Sequence, residues 1–265
     1  MGHQIEIDSI VSDMLQWARE VGGVQLGYFR GDNLGISSKL DESDIVTNAD
    51  KASERVLIGH IRQKYPHHAI LSEESGEAAG DSGFRWVIDP LDGTTNFSEG
   101  LPNFCVSIGL QYEGETMAGV VFAPYLGEMF HAVRGRGAYL NGRRIAVSGK
   151  QDIAKAVVNT GFPYDKHLTA DNNLDNVSAI FTRLRALRIL GSAAIDICYC
   201  AAGFLDGYWE LNLHEWDVCA ATLILQEAGG EATRFRSDRC ISLVAGTPSI
   251  HRWLLEHLST EPGYH

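Results

Sequence analysis

The chain predicts a layered α/β fold, and three observations carry that prediction. Short β-branched runs at Ala69–Ser72 and Trp86–Ile88 end in carboxylates, as buried strands do when they stop at a site. Apolar residues spaced by three and four bracket them as amphipathic helices, and a series of alternating runs from Cys105 to Val133 reads as an antiparallel sheet.

Taken in order, Ile10, Met14, Trp17, Val21 and Val24 give an opening helix, and Ala52, Val56, Leu57 and Ile61 a second. Asp50 stands where a cap for that second helix belongs. Strands follow at Ala69–Ser72, Trp86–Ile88, Cys105–Gln111, Met117–Ala123 and Glu128–Val133, then a hairpin across Asn141-Gly142. Leu174, Val177, Ile180 and Leu184 mark a further helix, and Cys198 and Cys200 lie in an apolar helical stretch. Asp217 opens a helix through Val218, Ala221, Leu225 and Ala228 that stops at Gly229-Gly230, and Thr247-Pro248 begins the last. There is no internal repeat and no long linker. A boundary near residue 150 divides one compact unit into subdomains 1–150 and 151–265.

At 265 residues with 45% hydrophobic content, the chain can bury a sizeable core. No apolar run is long enough for a membrane span, and the first residues lack the basic and apolar regions of a secretory signal, so a cytoplasmic protein is expected. The five cysteines show no metal-ligand spacing and read as buried free thiols. A net charge of −12 opposes a nucleic-acid backbone, so nucleic acid is not an expected partner. Arg134, Arg136, Arg143 and Arg144 flank a hairpin turn and read as a solvated strand edge.

The chemistry concentrates at Trp86-Val-Ile-Asp89-Pro-Leu-Asp92-Gly-Thr94-Thr95-Asn96-Phe97. Pro90 can continue neither a ladder nor a helix interior, so the chain is expected to turn there, with Asp89 and Asp92 at a strand's end. Two carboxylates held close raise each other's pKa and call for a cation. Hard oxygen ligands without a Cys or His pair favour Mg²⁺ over zinc. Gly93 permits close approach of a ligand, and the N–H groups of a new helix beside Thr94 and Thr95 attract phosphate. A plain Asp-Pro turn with a cap would explain this segment alone. An aspartyl-phosphate phosphatase would need Asp two residues before Asp92, where Pro90 stands, and that reading is set aside.

Further acids follow the same logic: Ser72-Glu73-Glu74-Ser75 ends a strand, Asp44-Ile-Val-Thr-Asn-Ala-Asp50 precedes a helix, and Trp216-Asp217 leads toward Glu227-Ala228-Gly229-Gly230. Four such motifs in this order resemble the inositol monophosphatase family, Mg²⁺-dependent and lithium-sensitive phosphatases, across nearly the whole chain. The resemblance implies a five-layer α-β-α-β-α sandwich of the sugar phosphatase type.

By that resemblance, Glu73, Asp89 and the main-chain carbonyl of Leu91 would hold one Mg²⁺, and Asp89, Asp92 and Asp217 a second. A third, weaker ion would sit near Glu73, making two or three per active site. Glu73 and Thr94 would orient the attacking water, Asp50 would accept from the Thr94 hydroxyl, and the N–H groups of Gly93 and Thr94 would cradle the phosphate. Gly191, Ser192, Ala193, Glu210 and Asp92 would read the polyol, and Lys39 would belong to a flap over the metal loop.

The implied reaction is hydrolysis of a small phosphomonoester without a covalent intermediate. The substrate expected first is myo-inositol 1-phosphate, since Asp-Gly-Thr-Thr-Asn-Phe resembles the inositol branch. Fructose 1,6-bisphosphate, 3′-phosphoadenosine 5′-phosphate, histidinol phosphate and a lipid-linked inositol phosphate stand as alternatives. From another class comes a transcription-machinery-binding accessory role, which some bacterial relatives play. A homodimer is implied by resemblance alone.

Overall fold

The computed structural model describes residues 2–32, 34–38 and 45–259. Among these residues it contains seven α-helices, two large sheets and a two-stranded ribbon. The helices are α1 (Gly2–Tyr28), α2 (Asn48–Lys64), α3 (Thr94–Ser98), α4 (Leu174–Ile180), α5 (Ala193–Ala201), α6 (Glu215–Glu227) and α7 (Pro248–His257).

Strands β1 (Ser37–Ser38) and β2 (Ile45–Val46) form the ribbon. The first large sheet holds β3 (Ala69–Ser72), β4 (Gly76–Ala78), β5 (Phe84–Asp92), β6 (Cys105–Tyr112), β7 (Glu115–Ala123), β8 (Glu128–Val133), β9 (Ala138–Leu140) and β10 (Arg143–Ile145). Its spatial order is β10-β9-β8-β7-β6-β5-β3-β4, antiparallel except where β3 runs parallel to β5. The second sheet, of β11 (Val157–Thr160), β12 (Ala186–Arg188), β13 (Gly207–Leu213), β14 (Glu231–Arg236) and β15 (Ile241–Gly246), is ordered β12-β11-β13-β15-β14.

The buried clusters reveal five layers. Ile10, Met14, Trp17 and Val21 of α1 and Leu57 and Ile61 of α2 pack on Trp86, Ile88, Ile108 and Val120, the outer face of the first sheet. Its inner face meets α5 and α6, whose far sides rest on Tyr208, Leu213 and Leu243 of the second sheet. Helix α7, through Ile250 and Leu254, covers the other face at Val158, Trp209 and Val244. Alternation along β13 drives this division, since Tyr208 faces one layer and Trp209 the next. The fold is therefore the α-β-α-β-α sandwich.

Several local expectations change. Pro90 does not end its strand: β5 runs through to Asp92, with a bulge between Asp89 and Asp92 opposite Ser107 and Cys105. A bulge leaves its extra residue outside the ladder, so the missing proline N–H costs nothing there. The Pro90 carbonyl is taken up by the buried Gln25 side chain of α1, whose Nε2 donates at 2.8 Å.

Thr47, not Asp50, caps α2; Asp50 sits three residues later and completes a capping box by accepting from the Thr47 N–H at 2.8 Å. Asp217 likewise lies at the third position past His214, whose N–H donates to its Oδ2 at 2.7 Å. The helix expected through Leu184 stops at Ile180 and tightens into a 3₁₀ turn over Phe181–Arg183. Of the cysteines, 105, 198, 200 and 219 are buried, but Cys240 is exposed in the loop before β15. Lys39 lies outside the described residues.

Candidate active site

The acids arrive from both halves of the fold. Glu73 follows β3, and its N–H donates to the Ile88 carbonyl at 3.3 Å, tying that turn to β5. Glu54 of α2 grips the same turn by accepting from the Ser72 and Ser75 hydroxyls and the Ser75 N–H. Asp89, Leu91 and Asp92 come from the bulge of β5, and Asp217 from the first turn of α6. Glu210 comes from β13, where a second bulge, with Asn212 at φ 63°, interrupts the pairing before Leu213. Both acid-bearing strands therefore break register at the site, which re-aims their side chains out of the alternating pattern.

Three of the carboxylates each have one oxygen anchored by a neighbouring N–H or hydroxyl. Asp89 Oδ1 accepts from the Leu91 N–H at 2.9 Å, and Asp217 Oδ2 from His214. Asp92 Oδ2 accepts from the Ser192 hydroxyl at 2.6 Å and the Ala194 N–H at 2.9 Å, which pins the start of α5 to the bulge. The second oxygens of Asp92 and Asp217 are not used by these anchors. Asp50 differs, for both its oxygens are committed, Oδ2 to Thr47 and Oδ1 to the Thr94 hydroxyl at 3.0 Å. The Leu91 carbonyl also stands 3.0 Å from Thr94 Oγ1, so one hydroxyl hydrogen has two acceptors to choose between, and the oxygen keeps lone pairs with which to accept.

Electrostatics link the acids more tightly than sequence could show. Burial first, then the charges of Glu73, Asp92 and Asp217, push Asp89 well above the usual carboxylate range. Burial also raises Asp217, aided by Glu73 and Asp92. Asp92 is pushed up to about 6 by burial, against its Ser192 and Ala194 hydrogen bonds. Burial raises Asp50 as well, with Glu73 adding to it.

Among the described residues, no three Asp, Glu, His or Cys side chains already crowd together as a closed ion cage. The donor set nonetheless fits a hard divalent ion, being carboxylate and carbonyl oxygen throughout.

Gly191, Ser192 and Ala193 lead into α5. Asn96 holds this segment, its Nδ2 donating to the Leu190 carbonyl at 2.7 Å. Glu210 accepts from the Tyr208 hydroxyl at 2.5 Å and is pushed up to about 7, chiefly by burial and secondarily by Asp92. Gly161 makes room for it, because a Cβ there would lie 2.2 Å from the Glu210 carboxyl. Gly93, at φ 88°, allows the chain to pass 2.8 Å from the Asn103 carbonyl where a Cβ would sit. Helix α3, which it precedes, has only five residues, so local N–H groups rather than a long helix dipole face any anion there.

Three residues had gone unremarked in the sequence. Tyr208 and Gly161 shape the surroundings of Glu210. Asp196 is buried in α5, its carboxyl raised well above normal by burial, Glu210 and Asp92. A charged residue inside Ala-Ala-Ile-Asp-Ile-Cys was the signal that could have found it.

The model of the inositol monophosphatase family matches residues 7–261. "Nus factor SuhB" of Pasteurella multocida is 44% identical over 247 residues, covering 91% of this chain and 92% of that protein. Among solved structures, the inositol monophosphatase of Anabaena superposes with a TM-score of 0.81 at 38% identity, covering 93% of this chain and 95% of that one. The IMPase of Thermotoga maritima does so with a TM-score of 0.83 at 32% identity, covering 94% and 96%.

Proposed function

We propose, from the premise that this chain belongs to the inositol monophosphatase family, that it hydrolyses a small phosphorylated polyol, myo-inositol 1-phosphate first among the candidates, in a Mg²⁺-dependent reaction. The observation that carries the reading is the convergence of Asp89, Asp92 and Asp217, buried carboxyls that are each raised by burial and by the charge of Glu73. Glu73, Asp89, the Leu91 carbonyl, Asp92 and Asp217 would hold two ions, with a third near Glu73. Bound there, Mg²⁺ supplies neutralisation of the phosphate charge, acidification of water and stabilisation of the departing ester oxygen.

The chain's own groups do the positioning. Thr94 donates to Asp50 or to the Leu91 carbonyl, which leaves its lone pairs to accept a hydrogen from the attacking water. Glu73 orients that water from the other side. The N–H groups of Gly93 and Thr94 hold the phosphate, and no side chain is needed as a nucleophile. Ser192, anchored on Asp92, fixes the segment from Gly191 to Ala193 against the polyol, and Glu210 accepts from a ring hydroxyl. Orientation then contributes a large share of the rate.

Phosphate release from inositol phosphates, fructose 1,6-bisphosphate, 3′-phosphoadenosine 5′-phosphate and histidinol phosphate, with and without Mg²⁺ and lithium, tests this. Fastest Mg²⁺-dependent release from myo-inositol 1-phosphate, inhibited by lithium, is the expected result. No Mg²⁺-dependent release from any of them sinks the enzyme reading.

A second reading rests on the relatives called Nus factor: an accessory role in transcription, alongside turnover. Those relatives give no support to setting nucleic-acid complexes aside on charge alone. Pull-down of transcription complexes by wild type and by Asp89→Asn separates the roles, since the scaffold reading requires both to bind. A homodimer, implied by the family, is checked by sedimentation.

A further inference from the structure

Away from the acids, a cleft of about 320 Å³ opens between the two sheets along α6. Its walls come from the β6–β7 hairpin, the end of β8, α6, and the β14–β15 pair. This volume is at the lower end of small-molecule sites. Val218, Leu223, Ala232 and Leu243 make one apolar wall.

The polar groups of the cleft divide sharply. Its carboxylates are already occupied: Glu215 accepts from Arg85 and from Gln111 Nε2, and Glu115 pairs with Arg134 at 3.1 Å. Arg234, set opposite Leu243 in the β14–β15 register and so on the same face, has no carboxylate partner among the described residues. Gln226 is exposed at the rim, and the Thr222 hydroxyl, buried, is likewise without a hydrogen-bond partner. The cleft thus offers one cation with no carboxylate partner among the described residues, a buried hydroxyl left without a partner, and an apolar wall.

From this geometry we infer that the cleft binds a small organic monoanion, a carboxylate on an apolar body, with Arg234 as its charge partner. One uncompensated guanidinium matches a single negative charge, whereas a phosphomonoester dianion would keep an unpaired charge. The apolar wall takes the acyl or aryl part. Binding is non-covalent, because burial pushes the Cys219 thiol on the cleft floor up to about 11 and keeps it protonated. The site is separate from the acids, although α6 carries both Asp217 and the cleft residues.

Titration calorimetry with hippurate tests this, using the full chain in Mg²⁺ and saturating inorganic phosphate. A Kd of about 1 mM or tighter is expected. Arg234→Gln should weaken it about tenfold or more, and Arg234→Lys, which keeps the charge, should retain most of the affinity. Arg234 is exposed, so both variants should fold, and unchanged melting confirms that they do. No heat up to about 20 mM hippurate, equal affinity in Arg234→Gln, or loss of binding when phosphate is added would each overturn the assignment.

Discussion

Two groups of carboxylates in this molecule lie in opposite surroundings. At the β14–β15 end, Arg236 donates to Asp171 through both terminal nitrogens, at 2.8 and 2.6 Å, and also to Asp238, while Arg239 grips Asp165. Arg236 holds Asp171 below the usual carboxylate range, first by its hydrogen bonds. At the candidate active site, Asp89, Asp92 and Asp217 are raised by burial and by neighbouring carboxylates, Glu73 among them. The first group is complete within the chain and stabilises it. The second, on the proposed reading, is completed only by a cation, and its repulsion is the cost of holding such a site ready.

The sharpest way to break this comparison is Asp89→Asn, which removes a charge shared between both proposed ion sites. Mg²⁺-dependent phosphate release should fall about 10³-fold or more, and activity near the wild-type level would refute the assignment. Next, Arg236→Leu should leave Asp171 with only its 3.4 Å contact to Arg239 and cost about 2 kcal/mol, read by urea denaturation. A loss below about 0.5 kcal/mol would mean the network is no more than an exposed set of ion pairs.

The two groups should also differ in pH dependence. Glu210, folded at about 7 against an ordinary 4.5, binds its proton more tightly in the folded state. The stability of that protonated form is present below pH 4.5 and is lost as pH rises through about 7. Metal-free protein should weaken over that window, and Glu210→Gln should flatten the slope by about 2 kcal/mol once partial exposure is discounted. Asp171, depressed when folded, has the opposite sign. Its contribution is present above its unfolded value and disappears as pH falls through the lower folded one. Asp171→Asn should therefore soften the acid limb below about pH 4, read as a smaller loss of stability there than in wild type.

The sequence made one of these groups much easier to see than the other. Asp89, Asp92, Glu73 and Asp217 were legible because each follows or precedes an apolar run, and the family motifs fix their order. The Arg236 network was not, since Asp171 lies 65 residues away in a loop with no periodicity to place it. Layering was legible from the spacing of Ile10 to Val21 and from the strand runs. The passage of β5 through Pro90 was not, because local propensity cannot see a bulge whose free carbonyl is satisfied by Gln25 from another element. The cap at Thr47 was missed for a related reason: an acid three residues inside a helix looks like a cap when its reciprocal partner is overlooked.

On the proposed reading, the carboxylates gathered at the β5 bulge and the start of α6 form a cation site whose repulsion is relieved on binding. Thermal melting at pH 8 of wild type and Asp89→Asn, with EDTA and then with MgCl₂, tests it most directly. The account predicts that Asp89→Asn melts higher than wild type in EDTA, and that Mg²⁺ raises wild type by several degrees while leaving the variant nearly unmoved. Equal Mg²⁺ shifts in the two proteins, or a variant that melts lower in EDTA, would contradict it.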